Sequence, residues 1–226
     1  MRGFKLMPPA FRLPQKDEPI TNFGSYFARS SGVIQELPLA MLERVASVLY
    51  QAYEDGRSVF LFGNGGSASL ASHFACDLAK GTVATDRLSK RFRVLSLADN
   101  MALMTAWAND TSYEQVFAAQ LRNFVQRGDV AFGISASGCS PNVLQALQAA
   151  REAGAVTVGL AGYQGGKLPG VCDYCIVIPS DNMQIIEDLQ LAIAHALFTV
   201  TRHRISTATL NNVCQDAPSA ALATVG

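Results

Sequence analysis

Four side chains in two pairs carry the strongest chemical signal in the sequence. His73 and Asp77 stand four residues apart, a spacing that puts both on one face of a helix. Glu187 and His195 stand eight apart, little more than two helical turns, so they also lie roughly on one side. Two imidazoles and two carboxylates could make a tetrahedral zinc site. The same set could serve as general acid and base. Spacing alone leaves plainer readings open. His195 sits in the apolar run from Leu191 to Leu197, where a lone histidine is often structural. Glu187 suits a solvated first-turn carboxylate favoured by the helix dipole. His203, the third histidine, reads as a helix-end surface residue.

Two polar turns offer a second kind of chemistry. Gly63-Asn64-Gly65-Gly66-Ser67 follows the apolar run Ser58 to Phe62 and precedes a helical stretch. Glycines let a backbone approach an anion closely. The helix start adds free N–H groups and partial positive charge, and Asn64 and Ser67 add side-chain donors. Ser135-Ala136-Ser137-Gly138-Cys139-Ser140 likewise joins a strand to a helix, with Pro141 where a first helical turn tolerates it. Hydroxyls and amides of this kind can hold a phosphate without Lys or Arg. The alternatives are a ligand-free tight turn and a serine-capped helix.

The elements that must position these groups follow from the apolar pattern. Short runs at 58–62, 92–97, 129–134, 156–160 and 174–178 read as buried strands. Helices are expected near 23–31, 38–55, 67–79, 101–107, 113–126, from Pro141 to about 153, and from Met183 to His203. Strands alternating with amphipathic helices predict an α/β fold. Its form is a parallel five-stranded sheet flanked by helices on both faces, a flavodoxin-like three-layer sandwich. Ligands in such sheets bind beyond the carboxyl ends of the strands, where both polar turns fall. The division expected is an irregular segment over 1–22, a domain over 23–203 and a flexible tail over 204–226.

Composition narrows the function class. Eighteen basic residues balance eighteen acidic ones, which leaves no net field for nucleic acid or an anionic membrane. No stretch reaches the roughly 18 apolar residues of a membrane span, and residues 1–9 lack the apolar core of a signal peptide. Charged residues are only 16% of the chain, a hint of surface hidden in an oligomer. The five cysteines lack a disulfide-framework spacing, and Cys172 and Cys175 read as half-buried strand residues. A cytoplasmic, reducing compartment fits this usage best.

At this point the chain resembles the SIS (sugar isomerase) domain family, and within it the phosphoheptose isomerases. Phe62 to Ala68, Ala108-Asn109-Asp110, Ser135 to Val143 and Gly162 to Lys167 carry the likeness, in family order over roughly residues 23 to 203. The resemblance implies that Ser135, Ser137 and Ser140 hold a sugar phosphate. Ala136 stands there for the usual Thr, and Cys139 for the usual Asn. It implies that Asn64, Gly65, Gly66 and the pair Asn109 and Asp110 contact the substrate. It makes His73, Asp77, Glu187 and His195 the matching zinc ligands, with Asp77 as base, His195 as acid and Glu187 as alternate base. Asp77 replaces the family Glu and is one methylene shorter, while Glu187 replaces a Gln. The implied activity is aldose–ketose isomerisation of sedoheptulose 7-phosphate by a homotetramer, with helices near 23–55 and 183–203 in its core. The alternative on the same fold is a non-catalytic binding protein of the replication initiator-associating type, which lacks the acidic residue and the last-helix histidine.

Overall fold

The computed structural model describes residues 19–83 and 90–216. The expected irregular segment up to residue 18 and the tail from 217 lie outside the described residues. The chain divides at Leu37/Pro38 into two compact units. The first contains helix α1, Phe23–Gln35, four residues longer than the sequence pattern suggests. Asn22 starts it with a capping box: its side chain accepts from the Ser25 amide at 2.9 Å, and the Ser25 hydroxyl accepts from the Asn22 amide at 3.1 Å.

The second unit holds a five-stranded parallel sheet in the order β2-β1-β3-β4-β5. Its strands are β1 Ser58–Gly63, β2 Arg93–Ser96, β3 Val130–Ile134, β4 Val156–Ala161 and β5 Tyr174–Val177. The helices are α2 Leu39–Glu54, α3 Gly66–Gly81, α4 Met101–Asp110, α5 Val116–Phe124, α6 Pro141–Glu152, α7 Leu168–Val171 and α8 Met183–Asp216. A short 3-10 turn at Tyr113–Gln115 precedes α5, and the short α7 has no counterpart in the sequence pattern.

Adjacent residues of β3 show why the sheet is covered on both sides. Successive side chains of a strand point to opposite faces. Phe132 meets Phe74 of α3, with ring centroids 5.8 Å apart. The next residue, Gly133, faces Val143 and Leu147 of α6, and a Cβ there would lie 2.9 Å from Val143. On that second side Phe62 of β1 stacks at 5.5 Å on Phe117 of α5. Strands buried on both faces read as unbroken apolar runs, which is why β1 and β3 are legible in the sequence.

Helix α8 lies alongside α3, and three contacts in rising order set the register. Gly66 faces Glu187, His73 faces His195, and Gly81 faces Phe198. A Cβ on Gly81 would fall 2.4 Å from the Phe198 ring, so the missing side chain permits the close approach. The two helices therefore run parallel, and the histidines meet between two glycine contacts.

The final helix corrects one boundary. The sequence pattern ends it at His203, but it continues to Asp216. Residues 206–209, Ser-Thr-Ala-Thr, look like the start of a tail because they are small and mostly polar. Their polar groups are satisfied inside the helix: the Thr207 and Thr209 hydroxyls donate to the carbonyls four residues back. Ile205 is buried, and Arg204 pairs with Glu43 and donates to Ser47 Oγ at 3.1 Å, fastening α8 to α2.

Cys172 and Cys175 are free thiols. Both sulfurs face Gly159 of β4, where a Cβ would lie 2.9 and 3.3 Å from them. Burial, with lesser contributions from Cys175 and Asp173, pushes the Cys172 thiol up to about 12, and burial pushes Cys175 up to about 11. Thiolate is the reactive form, so both behave as packing residues at neutral pH.

Candidate active site

Three of the four predicted chemical residues converge. His73 Nε2 and His195 Nε2 are 2.9 Å apart, although 122 residues separate them in sequence. Asp77 Oδ2 lies 3.5 Å from His73 Nε2 and 3.7 Å from His195 Nε2. The carboxylate is 24% exposed, and the imidazoles around it are half open to solvent. These three groups are the metal-competent cluster among the described residues.

Glu187 is not part of that cluster. Its carboxylate lies against Gly66, where a Cβ would be 3.2 Å from Oε1. Eight residues of helix, about 12 Å of rise, separate it from His195. It therefore sits at the first residue of α3, where the helix N-terminus favours a negative charge.

The donor set fits a metal of zinc type. A tetrahedral ion with bonds of about 2.0–2.1 Å holds neighbouring donor atoms roughly 3.3 Å apart. The three observed separations of 2.9, 3.5 and 3.7 Å straddle that figure. Two imidazoles and one carboxylate are donors that zinc accepts.

The glycine turn is built for close approach. Gly65 has φ +54° and caps α3 without any side-chain hydrogen bond. The Ser67 amide donates to the Asn64 carbonyl at 3.0 Å, so it closes the turn. The Ser67 side chain is buried, and a Cβ on Gly63 would fall 2.7 Å from it. Asn64, Gly65 and Gly66 thus form the open part of the turn.

The serine turn is locked from the side. Ser135 and Ser140 share a hydrogen bond at 2.9 Å, and Ser137 Oγ accepts from the Cys139 amide at 3.3 Å. Ser135 is buried while Ser137 is exposed. The loop after β4 closes over the turn: the Gly162 amide donates to the Ala136 carbonyl at 2.8 Å and the Lys167 amide to the Gly138 carbonyl at 2.9 Å. In the same loop Tyr163 holds φ +51°, the one described non-glycine residue at positive φ. Asn109 and Asp110 end α4, both exposed, with Asn109 donating to Asp110 at 2.9 Å.

Comparison with known proteins gives this arrangement a family. The SIS domain matches residues 23–162. The phosphoheptose isomerase of Helicobacter hepaticus is 38% identical over 156 residues, 69% of this chain and 78% of that protein. The phosphoheptose isomerase of Paramagnetospirillum magneticum is 35% identical over 181 residues, 80% of this chain and 91% of that protein. The chain belongs to the phosphoheptose isomerases of the SIS domain family. Solved structures agree in fold. The phosphoheptose isomerase of Neisseria gonorrhoeae superposes with a TM-score of 0.72 at 28% identity, covering 78% of this chain and 95% of that one. The enzyme from Francisella tularensis gives 0.73 at 27% identity, covering 79% and 95%.

One part of this phosphoheptose isomerase site is not apparent from sequence patterns. Asn142, in the first turn of α6, is 2% exposed and exchanges hydrogen bonds with Asn64 at 2.9 and 2.8 Å. Tyr113 donates its hydroxyl to Asn64 Oδ1 at 3.0 Å. These contacts tie the serine-turn helix to the glycine turn. The one signal for them is Asn142 itself, a polar residue at a position the helical pattern of α6 buries.

Proposed function

We propose that this protein is an aldose–ketose isomerase that interconverts sedoheptulose 7-phosphate and D-glycero-D-manno-heptose 7-phosphate. The observation that carries the reading is the meeting of His73, Asp77 and His195 in a chain that belongs to the phosphoheptose isomerases. The serine turn would hold the phosphate through Ser135, Ser137 and Ser140, with hydroxyls and amides replacing a basic patch. Ala136 contributes only its backbone there. Asn64, Gly65 and Gly66 would line the sugar, with Asn109 and Asp110 as further contacts and Ser67 as the residue that closes the turn.

In this mechanism the opened sugar presents the carbon beside its carbonyl to Asp77. The carboxylate takes that carbon's proton, and the C–H electrons form the double bond of a cis-enediol. His195 supplies a proton to the carbonyl oxygen as its π electrons move onto it. Return of a proton to the former carbonyl carbon, with loss of one from the neighbouring oxygen, completes the exchange. A general base must come within hydrogen-bond reach of its proton, and Asp77 is one methylene shorter than the family Glu. Both imidazoles approach its Oδ2, with their Nε2 atoms 3.5 and 3.7 Å away. His73, Asp77 and His195 would hold a zinc ion, with Glu187 as the more distant fourth candidate. A bound zinc ion would supply Lewis-acid polarisation of the sugar carbonyl.

The same proposal includes a homotetramer in the cytoplasm. Exposed apolar side chains support an assembly: Phe23, Phe27 and Ile34 on α1, Leu39 on α2, and Leu191 and Val200 on α8. Among the described residues no helix is long and apolar enough to cross a membrane. Light scattering on the purified protein is expected to give four times the mass of one chain. A monomer would contradict the assembly. The function itself is tested by incubating the protein with sedoheptulose 7-phosphate and following the aldose product. Absence of conversion, with folded protein and added zinc, would favour the non-catalytic alternative.

A further inference from the structure

The hydrogen bonds around Asn64 determine which of its polar groups is left free among the described residues. The Val143 backbone N–H donates to Asn142 Oδ1 at 3.0 Å. A backbone N–H can only donate, so this bond identifies the Asn142 oxygen and leaves Asn142 Nδ2 as the donor to Asn64. The atom of Asn64 that receives that bond, at 2.8 Å, must be its oxygen. Asn64 Nδ2 then returns one proton to Asn142 Oδ1 at 2.9 Å. Tyr113 adds a second donor to Asn64 Oδ1 at 3.0 Å. The oxygen of Asn64 now has two donors, as many as it has lone pairs. Its second Nδ2 proton has no acceptor among the described residues.

The position of Tyr113 is itself secured. Its neighbour Glu114 accepts from Gln145 of α6 at 3.1 Å, and Gln115 donates to the same Gln145. The 3-10 turn is thereby held on the helix that carries Asn142. A chain of contacts beginning at one backbone amide of α6 therefore sets the amide orientation of a residue on the glycine turn.

We infer that Asn142 and Tyr113 are positioning residues that make Asn64 a fixed N–H donor toward a substrate oxygen. This rests on the isomerase reading and deepens it. It assigns the glycine turn a polarity: the turn stabilises an oxygen that accepts, a carbonyl or the enediolate it becomes, and not a hydroxyl that must donate. A donor already oriented before substrate arrives needs no reorganisation as negative charge develops.

The test is a double-mutant cycle on Asn64→Ala and Asn142→Asp. Asn142→Asp keeps the shape and still accepts from the Val143 and Asn64 N–H groups, but it has no proton for Asn64 Oδ1. The expected result is a loss in kcat/KM of about 10- to 100-fold in the native background. In the Asn64→Ala background the same change is expected to alter kcat/KM by less than about 2-fold, because the residue acts through Asn64. Equal losses in both backgrounds, or no loss in the native one, would overturn the inference. Tyr113→Phe, at an exposed side chain, runs the same cycle if Asn142→Asp fails to fold, with an expected loss of about 3- to 10-fold. A native protein that binds sedoheptulose 7-phosphate without turning it over would sink the isomerase reading alone, and the cycle is then read in calorimetric affinities with the same pattern expected. A native protein that neither binds nor converts this sugar overturns both.

Discussion

Asp77→Asn is expected to lower kcat for heptulose phosphate isomerisation by about 100- to 10,000-fold, the range typical of a lost general base. The substitution changes almost nothing else. Asparagine has the same shape, and Asp77 is partly open to solvent beside the two imidazoles, 3.5 and 3.7 Å from their Nε2 atoms. The neutral amide cannot take a proton from carbon. It also binds a metal more weakly than a carboxylate does, so added zinc is not expected to rescue the variant. Thermal unfolding followed by circular dichroism should give nearly the native melting temperature. Glu187→Gln, which restores the residue usual in the family, is the contrasting variant and should cost about 10-fold or less. If Asp77→Asn stays active while Glu187→Gln is inactive, Glu187 is the base and the assignment is wrong.

Gly138→Ala is expected to be the most damaging small change for the fold near the site. The residue has φ +64°, where an L side chain is strained. A Cβ there would also lie 1.9 Å from the Gly165 carbonyl oxygen, a backbone atom that cannot rotate aside. Strain of about 1–3 kcal/mol and overpacking of about 1–3 kcal/mol add to roughly 2–6 kcal/mol, a large part of a typical domain's stability. The damage falls on the serine turn, because the Lys167 amide donates to the Gly138 carbonyl and the loop after β4 closes over it. Gly65→Ala is the control. Its φ is +54°, yet a Cβ would meet nothing within 4 Å. Only the strain of its backbone, at φ +54° and ψ −122°, remains, about 1–3 kcal/mol. Denaturant titration of the two variants measures the difference. Equal losses would show that the packing of the two loops carries no weight.

Much of this site is legible in the amino-acid sequence. The strands are visible because buried parallel strands are continuous apolar runs. The two turns are visible because glycine and serine cluster where a strand hands over to a helix. Helical spacing pairs His73 with Asp77, and they do share a face. The register between α3 and α8 is not legible in the same way. That register depends on two missing side chains, at Gly66 and Gly81, and it decides that His195 reaches the pair while Glu187 meets the start of α3. The length of α8 is hidden because threonine and serine read as tail residues unless their hydroxyls are known to bond back into the helix. The link between Asn64 and Asn142 spans 78 residues, and no local pattern announces it.

The most direct test of the central claim is nuclear magnetic resonance of the protein with sedoheptulose 7-phosphate in deuterated water. Conversion through an enediol places the migrating proton on Asp77, whose partial exposure lets it exchange with solvent. The expected result is growth of the aldose signal, with deuterium at the carbon that received the proton. A product carrying only protium at that carbon, or no aldose at all, would contradict the account.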